Sequence, residues 1–139
     1  MRRIDYIVVH CTATSKKATV ENIQKYWSDV LGWKNPGYHF LIEPDGNIVQ
    51  LQDVEKPTNG VRGHNANSVH VSYIGGIDYK GMPKDTRTEA QKDQMAITLH
   101  ALKSTHPSAK ILGHRDFPGV TKACPSFDVK KWLEELQLF

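Results

Sequence analysis

The stretch Ile4-Asp5-Tyr6-Ile7-Val8-Val9-His10 decides the fold class. After Asp5 the run is short, uncharged and rich in β-branched residues, with no polar alternation. Such a segment reads as a strand buried on both faces, the condition of a strand inside a parallel sheet. It delivers His10 at its C-terminal end. Working outward, Val20, Ile23, Trp27, Val30 and Leu31 recur at helical spacing, with Thr19 placed to cap the start and Gly32 to stop the end, which predicts an amphipathic helix of about three turns. Tyr38–Ile42 and Ile48–Leu51 flank Pro44-Asp45-Gly46-Asn47, a turn sequence, and predict a β-hairpin. Asp53 to Asn67 is polar and aperiodic, a long surface loop of the kind that carries function. Val69–Ile74 alternates apolar and polar before Gly75-Gly76 and predicts another strand. Thr88 and Gln91 form a capping box that opens the longest helix. Its apolar rows, Ala90/Ile97/Ala101 and Met95/Leu99/Leu102, are expected to lie on the sheet. Lys110-Ile111-Leu112-Gly113 predicts a short strand leading into His114. Val129, Trp132, Leu133 and Leu136 mark a C-terminal helix begun by Ser126 or Asp128. This alternation excludes all-α and all-β folds and predicts an α/β domain, a mixed sheet with helices packed on it.

Composition narrows the function. A chain of 139 residues, 39% hydrophobic and 24% charged, suits one soluble domain spanning 1–139 with one buried core. The net charge of +3 is small, and Lys and Arg form no block that would follow a phosphate backbone, so no nucleic-acid partner is expected. Arg2-Arg3 resembles the start of an export signal, but Asp5 interrupts the apolar run and no cleavage site follows. The chain is therefore expected to remain in the cytoplasm as synthesised, and no apolar run is long enough to cross a membrane. Two cysteines allow at most one bridge, which excludes a disulfide scaffold.

Seven histidines direct the search for chemistry. His10 follows one strand, His114 another, and Cys124 lies on the loop beyond; strand ends are where sheet-based folds keep their sites. Two imidazoles and a thiolate suit zinc, with the fourth tetrahedral position left for water, as in catalytic zinc sites. A lone histidine after a buried strand is otherwise commonly a hydrogen-bonded structural residue, so spacing alone leaves both readings open. By strand alternation Cys11 and His39 should face away from His10 and Tyr38, Cys11 as a buried thiol. His70 reads as structural. Asp116 reads either as the partner that orients a metal-bound histidine or as half of an Arg115-Asp116 turn pair.

Val9-His10-Cys11-Thr12-Ala13-Thr14, Gly37-Tyr38-His39-Phe40, Asn67-Ser68, Gly75-Gly76-Ile77-Asp78, Gly113-His114-Arg115-Asp116 and Lys122-Ala123-Cys124-Pro125-Ser126-Phe127-Asp128 follow one another in this order. Together they resemble the zinc-dependent N-acetylmuramoyl-L-alanine amidases of the phage-lysozyme type, relatives of the peptidoglycan recognition proteins. The resemblance implies a mixed sheet of about five or six strands flanked by about three helices, with a zinc site in a surface groove. It implies one zinc ion per chain held by His10, His114 and Cys124, with Tyr38 and Lys122 as catalytic residues. The implied reaction is hydrolysis of the amide between the lactyl group of N-acetylmuramic acid and L-alanine of peptidoglycan. Metal-activated water would attack while Tyr38 or Lys122 stabilises the oxyanion, and which of the two returns the proton is open. The alternative is a peptidoglycan-binding module without catalysis, disfavoured because all three ligand positions are filled. Arg62, His64 and Asn65 are candidates for substrate contact, and the Asp53–Asn67 and Lys80–Asp85 loops for the groove walls. Near Gly60, where many relatives carry a histidine, this chain reads Asn59-Gly60-Val61-Arg62, which leaves that loop's contacts in question. The protein is expected to act as a monomer on the cell wall after release or lysis.

Overall fold

In the computed structural model, which describes residues 2–138, the run after Asp5 forms β1 (Tyr6–Cys11) at the interior of a five-stranded sheet. The other elements are α1 (Val20–Lys25), β2 (Phe40–Ile42), β3 (Ile48–Gln50), β4 (Ser68–Tyr73), α2 (Glu89–Thr105), β5 (Lys110–Gly113) and α3 (Val129–Leu136). The strand order is β3-β2-β4-β1-β5, and only the β2–β3 hairpin is antiparallel. The expected mixed α/β architecture is therefore present, with five strands and three α-helices.

Alternation divides the sheet into two chemically different faces. Ile7, Val9 and Cys11 of β1 join Val69, Val71 and Tyr73 of β4 in the main core, with Met95, Leu99 and Leu102 of α2 and Val129, Trp132 and Leu133 of α3. On the opposite face Val8 packs with Val61 and Phe117, and Leu41 packs with α1 and Trp27. The polar members of β4, Ser68, His70 and Ser72, are all buried on the face they share with Val8 and His10, where the Gly60–His64 segment packs on Ser68, His70 and Val8. Among the described residues no helix is long and apolar enough to cross a membrane.

Two local expectations are corrected. The first helix does not run regularly through Leu31: Tyr26–Val30 is a π-helical turn, and the Leu31 N–H reaches back five residues to the Tyr26 carbonyl. The extra residue in that turn carries Val30 and Leu31 off the buried face, leaving them 66% and 41% exposed, while Trp27 stays buried. In α2 the row Ala90/Ile97/Ala101 faces outward. Gln91 donates to the carbonyls of both Ile42 and Ile74, which sets the helix's rotation so that Met95, Thr98, Leu99 and Leu102 face the sheet instead. Both capping boxes, Thr19–Asn22 and Thr88–Gln91, are formed, and Asp128 rather than Ser126 caps α3.

Candidate metal centre

The centre is assembled from the C-terminal end of β1, the turn after β5 and the loop that follows it. His10 occupies the penultimate position of β1, opposite Ser72 in the register, and is 1% exposed. His114 opens a single 3₁₀ turn, His114–Asp116, directly after β5. Asp116 accepts the Gly113 N–H at 2.8 Å, so its part is to hold the turn that presents His114. Cys124 precedes a cis Pro125, and its loop is fastened on both sides. Arg115 N–H donates to the Cys124 carbonyl at 2.9 Å, Tyr73 Oη to the Pro125 carbonyl at 2.6 Å, and Ser126 Oγ to the Gly76 carbonyl at 2.8 Å.

These three side chains converge. Their ligand atoms all lie within 4.8 Å of one another, and His10 Nδ1 is 3.8 Å from Cys124 Sγ. Tetrahedral zinc bonds of ordinary length place a nitrogen and a sulfur about 3.6 Å apart, so the pair is already close to that spacing. The donor set is also chemically suited: two neutral imidazoles and one thiol, with the backbone N–H of Cys11 donating to Cys124 Sγ at 3.2 Å, as it would to a ligating thiolate. Burial pushes the pKa of His10 well below the ordinary imidazole value, and burial followed by the charge of Lys122 lowers that of His114. Both rings are therefore neutral and able to coordinate at pH 7. In the chain without metal, interaction with the Cys11 sulfur and then burial push the Cys124 thiol up; a divalent cation inverts that balance. Both cysteines are free, and Cys11 is buried on the core side of β1 as expected.

Tyr38 stands beside His10, ring centroids 5.0 Å apart, and its hydroxyl donates to the Cys11 carbonyl at 3.1 Å. Burial, then the nearby sulfurs of Cys124 and Cys11, raise its pKa above the ordinary phenol value, so it keeps its proton. His10 and His114 line an open groove of about 720 Å³, together with Trp27, Trp33, Tyr38, Asn59, Gly60 and Lys122. Arg62 and Asn65 line an adjoining hollow that shares His114 and Lys122.

Some candidates land elsewhere. His64 does not line the groove; its ring packs against Tyr6 and Phe117 at 5.7 and 4.7 Å. Asn65 reaches the hollow, but its Oδ1 is committed inward, accepting from Gly60 N–H, Val61 N–H and His70 Nε2. The Asp53–Asn67 segment supplies a wall, whereas the Lys80–Asp85 loop lies away from the groove. His70, read as structural, lies 2.8 Å from His10. The available signal was the polar row Ser68, His70, Ser72, which shares a face with His10.

Fold and site define the class: an α/β domain whose sheet presents a three-ligand candidate metal centre in an open groove. Residues 1–127 match the N-acetylmuramoyl-L-alanine amidase family, and the chain belongs to it. Its activity is that of a peptidoglycan amidase. The endolysin of Enterobacteria phage K11 is 38% identical over 131 residues, covering 94% of this chain and 85% of that protein. Among solved structures, the Ph2119 endolysin of a Thermus scotoductus bacteriophage superposes with a TM-score of 0.81 at 22% identity, covering 100% of this chain and 88% of that one. The N-acetylmuramoyl-L-alanine amidase LysC of Clostridium intestinale gives 0.82 at 21% identity, covering 99% and 88%.

Proposed function

We propose that the chain is a zinc amidase that hydrolyses the bond between the lactyl group of N-acetylmuramic acid and L-alanine, with His10 Nδ1, His114 and Cys124 as the metal ligands. The convergence of these three donor atoms within 4.8 Å, with His10 and His114 lining an open groove, carries this reading. Bound zinc lowers the pKa of a water and polarises the amide carbonyl, making attack feasible at neutral pH.

The chain's own residues account for the rest. As attack proceeds, negative charge grows on the carbonyl oxygen, and Tyr38, a protonated donor held beside His10, stabilises that charge more than it does the ground state. Lys122, in the same groove, brings a positive charge to the same region. Either donor can return the proton to the leaving amine. Arg62 offers a guanidinium suited to a stem-peptide carboxylate. An open groove rather than a closed cavity admits a cross-linked polymer, and all three ligands come from one chain, so a monomer suffices. With a net charge of +3 the protein approaches an anionic wall once lysis releases it.

Incubation with purified peptidoglycan tests the activity. Release of new L-alanyl amino termini without new reducing sugar ends is the expected result. Retention of the wall with no new amino termini would support the binding-module alternative instead.

A further inference from the structure

The ligand His10 is the first member of a buried chain of hydrogen-bonding groups that runs to the Gly60–Asn65 segment. His10 Nε2 is 2.8 Å from His70 Nδ1, and His70 Nε2 is 3.0 Å from Asn65 Oδ1. The direction of every proton follows from the far end. Asn65 Oδ1 accepts from two backbone N–H groups, Gly60 at 3.1 Å and Val61 at 2.8 Å, so it is the amide oxygen and only accepts. His70 Nε2 must then carry a proton. His70 is fully buried and touches no carboxylate among its hydrogen-bond partners, so its ring is neutral and its Nδ1 is a bare acceptor. His10 Nε2 must accordingly donate, which leaves the lone pair of His10 on Nδ1, the atom that faces Cys124 Sγ.

The His70 ring is held in the orientation this requires. A Cβ on residue 60 would fall 2.3 Å from His70 Nδ1, so only glycine lets the ring occupy that space. His39 also stacks on it, planes 15° apart, and His39 Nδ1 accepts the His70 backbone N–H at 3.0 Å. The absence of a side chain at Gly60 and the presence of the imidazole at position 70 are thus one arrangement.

We propose that Asn65 and His70 are positioning residues that fix His10 in its Nε2–H tautomer and so preset Nδ1 as a metal-binding atom before any ion arrives. This rests on the zinc reading only for its consequence, tighter metal binding; the tautomer itself belongs to the metal-free chain. Groups that orient a ligating histidine commonly change metal affinity 10–100-fold when removed.

Long-range ¹⁵N–¹H correlation spectra of the metal-free wild type are the test. The expected result is one bare and one protonated nitrogen in each of the His10 and His70 rings, the proton on Nε2 in both. His10 protonated on Nδ1, or exchanging between tautomers, overturns the proposal. Zinc affinity measured by competition with a chromophoric chelator is expected to fall 10–100-fold in His70→Phe. It is expected to fall as well in Asn65→Ala, which removes the acceptor that holds the proton on His70 Nε2. Wild-type affinity in a folded His70→Phe overturns the proposal and leaves the zinc reading intact. The expected tautomers in a wild type that binds no zinc support the relay and overturn the zinc reading instead. Should His70→Phe fail to fold, the wild-type spectrum and Asn65→Ala still decide.

Discussion

The hydroxyl of Tyr38 donates to the carbonyl of Cys11 at 3.1 Å, which parks the phenol one residue beyond the ligand candidate His10. Burial, then the Cys124 and Cys11 sulfurs, keep the phenol protonated, and in the proposed reaction it serves as an oxyanion donor rather than as a metal ligand. Tyr38→Phe is therefore expected to lower kcat on purified peptidoglycan by about 10²–10³-fold, the usual consequence of losing one oxyanion donor. Zinc content and thermal midpoint of the same preparation should change little. A loss of zinc in Tyr38→Phe would show instead that the phenol supports the ligands.

Gly60 makes a steric prediction that needs no metal. Its backbone is not in the left-handed region; what forbids a side chain is the His70 ring, 2.3 Å from the position a Cβ would take. Gly60→Ala is expected to cost about 1–3 kcal/mol, the range for overpacking a buried site. Thermal or urea unfolding reads the loss, and the double variant Gly60→Ala/His70→Ala should recover part of it. Additive losses would mean that the two residues do not compete for the same space.

Acid stability follows from the buried imidazoles. His39 is pushed down to about 4 by burial, and its Nδ1 already accepts the His70 N–H, so a proton there would meet another donor. Burial moves His10 and His70 in the same direction. The unfolded chain takes up protons near pH 6.5, whereas the folded chain resists until the folded pKa is reached. The contribution to stability is therefore complete above about pH 6.5 and is lost as the pH falls towards 4, His39 alone accounting for about 3 kcal/mol. Urea midpoints of the metal-free chain at pH 7, 5.5 and 4.5 should decrease in that order. A midpoint that is unchanged or rises on acidification would contradict the buried, neutral state of these rings.

The parts of this molecule that the sequence disclosed are those in which one residue type has one physical role. The uncharged run of β1 could only be an interior strand, and Thr88 with Gln91 could only cap a helix, so both appear where expected. His10, His114 and Cys124 stood out because each is a good ligand at the end of, or just beyond, a strand. What stayed hidden depended on rotation and on partners distant in the chain. The π-helical turn at Tyr26–Val30 inserts a residue that no apolar spacing announces. The Gln91 bonds to two strand carbonyls choose the buried row of α2 over an equally apolar one. Alternation placed His70 on one of two faces without saying which, and Gly60 looked like a loop residue until β4 brought an imidazole against it.

Zinc content of the purified, active chain and of its Cys124→Ala form tests the metal-centre reading most directly. One zinc per wild-type chain is expected, with loss of both the metal and the release of L-alanyl termini in the variant. A wild type that cleaves peptidoglycan while free of zinc, or a Cys124→Ala protein that retains a full equivalent, would contradict it.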